Sequence, residues 1–252
     1  MSRFHPCIDL HNGKVKQIVG GTLNDADGSA ATNFVAEHPA GYYAEMYKRD
    51  RLKGGHVIML GPNNETAALE ALAAFPGGLQ LGGGVTLGNA RTYLDAGADK
   101  VIVTSAVFRG GRIDFEALNS FVALIGRDRL TLDLSARRRN GRYYIVTDRW
   151  QSFTETELNR ETLEHLAGFC AEYLVHAVDV EGKQAGVDED VLNIVAHSPI
   201  PVTYAGGIRS MADIELIERA GAGKVDYTVG SALDIFGGSL SYSKLVSREQ
   251  AR

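Results

Sequence analysis

The chain has 252 residues, 44% of them hydrophobic, and a formal net charge of −5. That is enough apolar material for a full core, it excludes a disordered chain, and an acidic balance without a basic stripe speaks against nucleic acid as the main partner. Cys7 and Cys170 make no CxxC, metal spacing or disulfide framework, the opening MSRFHPCIDL lacks the apolar stretch of a signal peptide, and no apolar run approaches the roughly 18 residues of a membrane span, so the expectation is a cytoplasmic protein without membrane contact.

The first strand is expected within RFHPCIDL, with a carboxylate, Asp9, near its end and a turn-forming Asn12-Gly13 directly after. The polar, Gly-rich VGGTLNDADGSAATNF that follows reads as a mobile lid. Further strands are expected at His56–Leu60, Gly78–Gly82, Lys100–Thr104, Leu130–Leu134, Tyr173–Val178, Pro201–Ala205 and Lys224–Val229. They are short and often continuously apolar, as parallel strands buried on both faces are. Between them NETAALEALAAF, NARTYLDAG, GRIDFEALNSFVALIG, NRETLEHLAGFCAEYL and SMADIELIERAG carry helical spacing or a glycine stop. Eight strands alternating with helices over 252 residues fit a single (β/α)8 barrel domain spanning 1–252. A doubly wound open sheet is the structural competitor.

The chain also repeats itself. LGGGV…LDAGADKVIVTSAVF answers AGGIR…IERAGAGKVDYTVGSAL, and CIDLHNGK answers TLDLSARRRNGR. Gly83 thus matches Gly206, Ser105 matches Ser231 and Asp9 matches Asp133, each about half the chain apart. The barrel is therefore expected as two half-barrels, roughly 1–125 and 126–252, with four βα units each; an open sheet gives no reason for these matches.

In a (β/α)8 barrel the functional face lies at the C-terminal strand ends. Gly83-Gly84 follow the third strand and Thr104-Ser105 the fourth; Gly206-Gly207 follow the seventh and Gly230-Ser231 the eighth. Paired glycines let backbone N–H groups approach an anion, and hydroxyls add donors. One such pair is an ordinary turn; the combination occurring twice points to two phosphate sites and a ligand phosphorylated at both ends. Asp9 and Asp133, ending the first and fifth strands, would face each other between these sites. That suits acid–base work in the middle of an elongated bisphosphate, against the plainer reading that each Asp caps a loop. Asp179, at the sixth strand, and His11 are weaker candidates for substrate contact. His56 and His176 sit in strands and read as packed. Trp150 lies in a long polar excursion after the fifth strand, where it could stack on a flat heterocycle or join a satellite core with Tyr143 and Tyr144. The run Arg137–Arg139 could attract an anion or be a solvated loop.

CIDLHNGKVKQIVGGTL, LQLGGGV, TLDLSARR, VHAVDVEGKQAGVD and YAGGIRS…TVGSALDIFGG together resemble the phosphoribosylformimino-aminoimidazole carboxamide ribotide isomerases of histidine biosynthesis, most closely their eukaryotic-type branch. The resemblance covers almost the whole chain. It implies an enzyme without metal or organic cofactor that carries out an Amadori rearrangement of a bisphosphorylated ribotide. It implies Asp133 as the general acid that opens the ribose and Asp9 as the base that takes the C2 proton. It puts the family's phosphate-binding positions on Gly83, Gly84, Thr104, Ser105, Gly206, Gly207, Gly230 and Ser231, and its fifth-loop Trp on Trp150. The chain departs from many bacterial members at Val85-Thr86 and at Val178 and GKQAG around the sixth strand. The alternatives are the paralogous imidazole glycerol phosphate cyclase, which the DLHNGKVKQ opening disfavours, and a barrel that only binds a phosphometabolite, for which two acids are not needed. The expected partner is the small bisphosphate substrate alone, with the protein a monomer.

Overall fold

The computed structural model describes residues 2–18 and 32–252, so most of the expected lid, residues 19–34, lies outside the described residues. Eight parallel strands are seen: β1 (Cys7–His11), β2 (Gly55–Met59), β3 (Leu79–Gly82), β4 (Val101–Val103), β5 (Leu130–Asp133), β6 (Glu172–His176), β7 (Val202–Ala205) and β8 (Val225–Tyr227). A helix follows each in turn: α1 (Ala40–Arg49), α2 (Glu65–Ala74), α3 (Ala90–Asp95), α4 (Phe115–Ile125), α5 (Arg160–Leu166), α6 (Glu189–Val195), α7 (Met211–Ala220) and α8 (Tyr242–Gln250). Neighbours in the curled sheet are neighbours in the chain, from β1 to β8, with no topological switch point. This is the TIM-barrel arrangement and not the doubly wound sheet.

The seam between β8 and β1 is not a ladder. It is carried just before β1, where Phe4 bridges Tyr227, His5 N–H donates to Tyr227 O at 2.9 Å and Tyr227 N–H donates to Arg3 O at 2.9 Å. α8 backs it: Phe4 N–H donates to Glu249 Oε1 at 2.8 Å, and the Phe4 ring stacks on Tyr227 at 5.9 Å.

Inside the barrel, opposite the loops that carry the motifs, lies a polar floor. Thr203 and Gln80 donate to the two oxygens of buried Glu172 at 2.8 and 2.9 Å, Thr131 donates to Gln80 at 2.6 Å, and Lys100 Nζ lies 3.6 Å from Glu172. A buried carboxylate is tolerable only with such partners. Around it the strands are sealed by large side chains, among them Tyr47, Tyr173, Tyr204 and Tyr227, each fully buried.

The helices are anchored where they leave the barrel ends. Asp114 accepts from Glu116 N and Ala117 N at the start of α4, and Ser210 with Asp213 forms a capping box that starts α7. α1, α6 and α8 were not among the helices read from the sequence.

The excursion after β5 is more ordered than expected. It is a three-stranded antiparallel sheet of Ala136–Arg139, Arg142–Thr147 and Ser152–Glu157. Its first hairpin turns at Asn140-Gly141, with φ of 52° and 80°. β1 turns into the strand Lys14–Ile18 in the same way, at Asn12-Gly13 with φ of 51° and 74°. Both are two-residue turns that need left-handed residues, which explains the Asn-Gly in each half. The arginine run is absorbed by this sheet and its surroundings: Arg139 lies over Tyr144 at 4.4 Å, Arg138 pairs with Asp190 at 3.5 Å and Arg137 with Asp179 at 3.2 Å.

Candidate active site

Three cavities open side by side at the C-terminal strand ends. The largest, about 520 Å³, is lined by Gly83, Gly84, Thr104, Ser105, Asp133, Trp150 and His176. A narrow cleft of about 30 Å³ is lined by Asp9, His176, Glu181, Gly206, Gly207, Gly230 and Ser231. A third, bordered by Asp9, Trp150, His176 and Glu181, lies against both. All eight glycine and hydroxyl positions singled out in the sequence therefore line the site, four to each main cavity, with one aspartate in each.

The glycines after β3 and β7 are required by the barrel itself. Gly83 has φ of 90°, and a Cβ there would sit 2.1 Å from Met59 O on β2; Gly206 has φ of 116°, and a Cβ would sit 2.8 Å from Ala177 O. The two halves make the same tight bend against the preceding strand.

Asp9 is partly buried and accepts from Gln17 Nε2 at 3.1 Å. Burial raises its pKa to about 6, opposed by the hydrogen bonds of Gln17 and Cys7. Gln17 is itself buried on the return strand Lys14–Ile18, so the hairpin after β1 brings back the residue that holds the acid. Glu181 faces the same cleft, and burial, with the Asp9 charge second, lifts its pKa to about 8.

Asp133 ends β5 and is held differently. Its Oδ1 accepts from Ser135 N at 2.8 Å and from Ser135 Oγ–H. Ser135 Oγ also lies 2.9 Å from His176 Nδ1. His176 ends β6, is buried, and stacks at a tilt on Trp150 with ring centroids 5.2 Å apart. Burial pushes its pKa down, against the pull of Asp133. Ser105 Oγ accepts from Asp148 N at 3.1 Å and so ties the fourth-strand loop to the fifth.

Two candidates lie elsewhere. Asp179 lines none of the three cavities, and its carboxylate accepts from Arg137 Nε at 3.2 Å and Arg138 N at 2.8 Å, holding the fifth-loop sheet to the end of β6. His11 is buried, with Nδ1 3.2 Å from Lys16 Nζ, and lines none of the three. Conversely, His56 and His176, expected to be packed, both border the cleft, and burial lowers His56 to a pKa of about 3. Glu181, Gln17 and Ser135 carried no sequence expectation. Strand alternation held a signal for His176: four residues from floor-forming Glu172, it falls on the same inner face of β6.

Cys7, Asp9 and His56 offer donor atoms within 4.8 Å of one another. A metal would need a Cys7 thiolate, but burial raises that thiol well above its usual pKa and its Sγ–H donates to Val229 O at 3.6 Å. The trio is poorly suited to hold a metal.

Over residues 3–240 the sequence matches the family described as Histidine biosynthesis protein. This chain belongs to that family. The histidine-biosynthesis relatives are near in sequence and similar in length. The chloroplastic 1-(5-phosphoribosyl)-5-((5-phosphoribosylamino)methylideneamino)imidazole-4-carboxamide isomerase of Medicago truncatula is 55% identical over 252 residues, covering 97% of this chain and 81% of that protein. The isomerase of the same name from Neurospora crassa is 50% identical over 242 residues, with 94% of each chain covered. That of Saccharomyces cerevisiae is 45% identical over 248 residues, with 95% of each covered. This member of the histidine-biosynthesis family is an enzyme, an isomerase. Among its described residues, no helix is long and apolar enough to cross a membrane.

Proposed function

We propose that this isomerase converts the bisphosphorylated N-(5-phosphoribosylformimino)-5-aminoimidazole-4-carboxamide ribonucleotide from aminoaldose to aminoketose, with Asp9 and Asp133 as its acid–base pair. One observation carries the reading: the carboxylates of Asp9, inside β1, and Asp133, at the end of β5, lie in adjoining cavities, each with its own set of glycine and hydroxyl positions. A phosphate at each end of the substrate would lie on these sets, with the reacting ribose between the acids.

Asp133 protonates the ribose ring oxygen and opens the ring to a Schiff base. Asp9 removes the proton on C2. With a pKa of about 6 it is mostly ionised at neutral pH yet more basic than an ordinary carboxylate, which is what proton abstraction there requires. The enolamine then becomes the ketone. Trp150, lying between the large cavity and the middle one, stacks on the imidazole. The isomerase works as a monomer in the cytoplasm: few large apolar side chains are exposed among the described residues, and both cysteines are buried free thiols, suited to a reducing compartment.

Purified protein given the aminoaldose bisphosphate, without ammonia or any glutaminase, is expected to yield the ketose isomer. Folded protein that leaves the substrate unchanged sinks the proposal.

A further inference from the structure

The rearrangement moves protons in a way that the two aspartates alone do not balance, if it runs as proposed above. Asp133 gives one proton to the ring oxygen. Asp9 takes the C2 proton and can return it to C1, ending as it began. The hydroxyl on C2 must also lose its proton as the carbonyl forms. One proton is therefore left over, and Asp133 is one short.

The structure holds a path between those two points. Ser135 Oγ has a single hydrogen, and Asp133 Oδ1 accepts it. His176 Nδ1, 2.9 Å from the same Oγ, must then donate, so its proton is on Nδ1 and Nε2 carries a lone pair. Nε2 has no hydrogen-bond partner among the described residues, and the ring borders all three cavities between the two acids.

We propose that His176 takes the C2-hydroxyl proton and returns it through Ser135 to Asp133. Nε2 accepts the hydroxyl proton, and the O–H electron pair becomes the second bond of the C2 carbonyl. The C1=C2 pair takes the proton held by Asp9. The imidazolium passes its Nδ1 proton to Ser135 Oγ as Ser135 passes its own to Asp133 Oδ1. Every group is then back in its starting charge state with the chain of hydrogen bonds reversed, and exchange with water when product leaves resets the imidazole tautomer, the Ser135 hydroxyl and the proton on Asp133. Burial makes the imidazolium costly, which drives the proton onward to an Asp133 left ionised.

The test follows substrate in D2O with the parent protein, His176→Gln and Ser135→Ala, each checked for a parent-like melting transition. Losing the relay stalls the reaction after C2 abstraction, so the intermediate returns to substrate and picks up deuterium at C2. In His176→Gln, turnover is expected to fall by about 10²–10⁴-fold. The ratio of C2 exchange in recovered substrate to turnover is expected to rise about tenfold or more in both variants, since only the later step is slowed. A structural role lowers exchange and turnover together, and that parallel fall overturns the relay. A raised ratio in His176→Gln alone removes Ser135 from the path and overturns it too. A parent protein that fails to isomerise refutes the proposed function itself; a working parent with parallel losses in the variants refutes only the relay.

Discussion

Gln17→Leu should move the acid limb of the pH–rate profile upward. Gln17 is buried, its Nε2 donates to Asp9 Oδ2 at 3.1 Å, and this bond works against the burial that raises Asp9 to about 6. A hydrogen bond to a charged group contributes about 1.5–3 kcal/mol, and each pKa unit corresponds to about 1.4 kcal/mol, so its loss is worth about one to two units. Leucine fills a similar volume and offers no donor. The limb in kcat/KM should move from about 6 to between about 7 and 8. With the limb at about 7.5, the ionised fraction at pH 6.5 falls roughly eightfold, while at pH 9 the variant approaches the parent. The assay is initial-rate kinetics across that range. A limb that stays in place or moves down would refute both the role of Asp9 as base and the part of Gln17 in setting its strength.

Asp9→Asn should abolish most turnover, by about 10²–10⁴-fold, yet stabilise the fold at pH 8. The folded pKa of Asp9 is raised from 3.8 to about 6, so its ionisation costs stability; the penalty is absent below the unfolded pKa, grows through this window and reaches an upper limit of about 3 kcal/mol above it. Urea melts at pH 4 and pH 8 read the difference. Glu181→Gln should leave KM near the parent value at pH 7, where Glu181 is mostly protonated, and remove a rise in KM expected above pH 8 as its charge begins to repel the phosphate. Glu172→Ala should cost about 1–3 kcal/mol in denaturant melts by taking the buried acceptor from Gln80 and Thr203, while Lys100 keeps Asp99 at 2.8 Å, with KM of the surviving folded protein unchanged.

The barrel was legible because its strands are short apolar runs and its motifs recur at half the chain length. The Asn12-Gly13 turn was legible because a tight turn admits few residue types, whereas Asn140-Gly141 lay unread in a polar excursion and makes the same turn. α1 carried no expectation, although Ala40, Tyr43, Ala44 and Tyr47 make a helical stripe. α6 has seven residues and, unlike α3 and α7, no glycine stop after it. In the site, residues fixed by backbone geometry were found and residues fixed by tertiary contact were not. Asp179 looked suitable by position, but its charge meets Arg137, and the carboxylate that reaches the cleft is Glu181, two residues on. Nothing local in the sequence tells these two acids apart. His176 was discounted as a strand histidine, although a strand in a barrel has an inner face that ends at the site.

The bend after β3 affects how substitutions in this loop are interpreted. A methyl at Gly83 would collide with Met59 O at 2.1 Å, whereas one at Gly84, with φ of 78°, meets nothing within 4 Å. Lost affinity in Gly83→Ala would therefore report a displaced β2 rather than a missing phosphate contact. Gly84 separates the two effects. There, backbone strain of about 1–2 kcal/mol would lower stability, and any loss of affinity beyond that would measure how close the ligand comes to the loop. Adjacent glycines in one motif can thus be kept by different pressures, one architectural and one chemical.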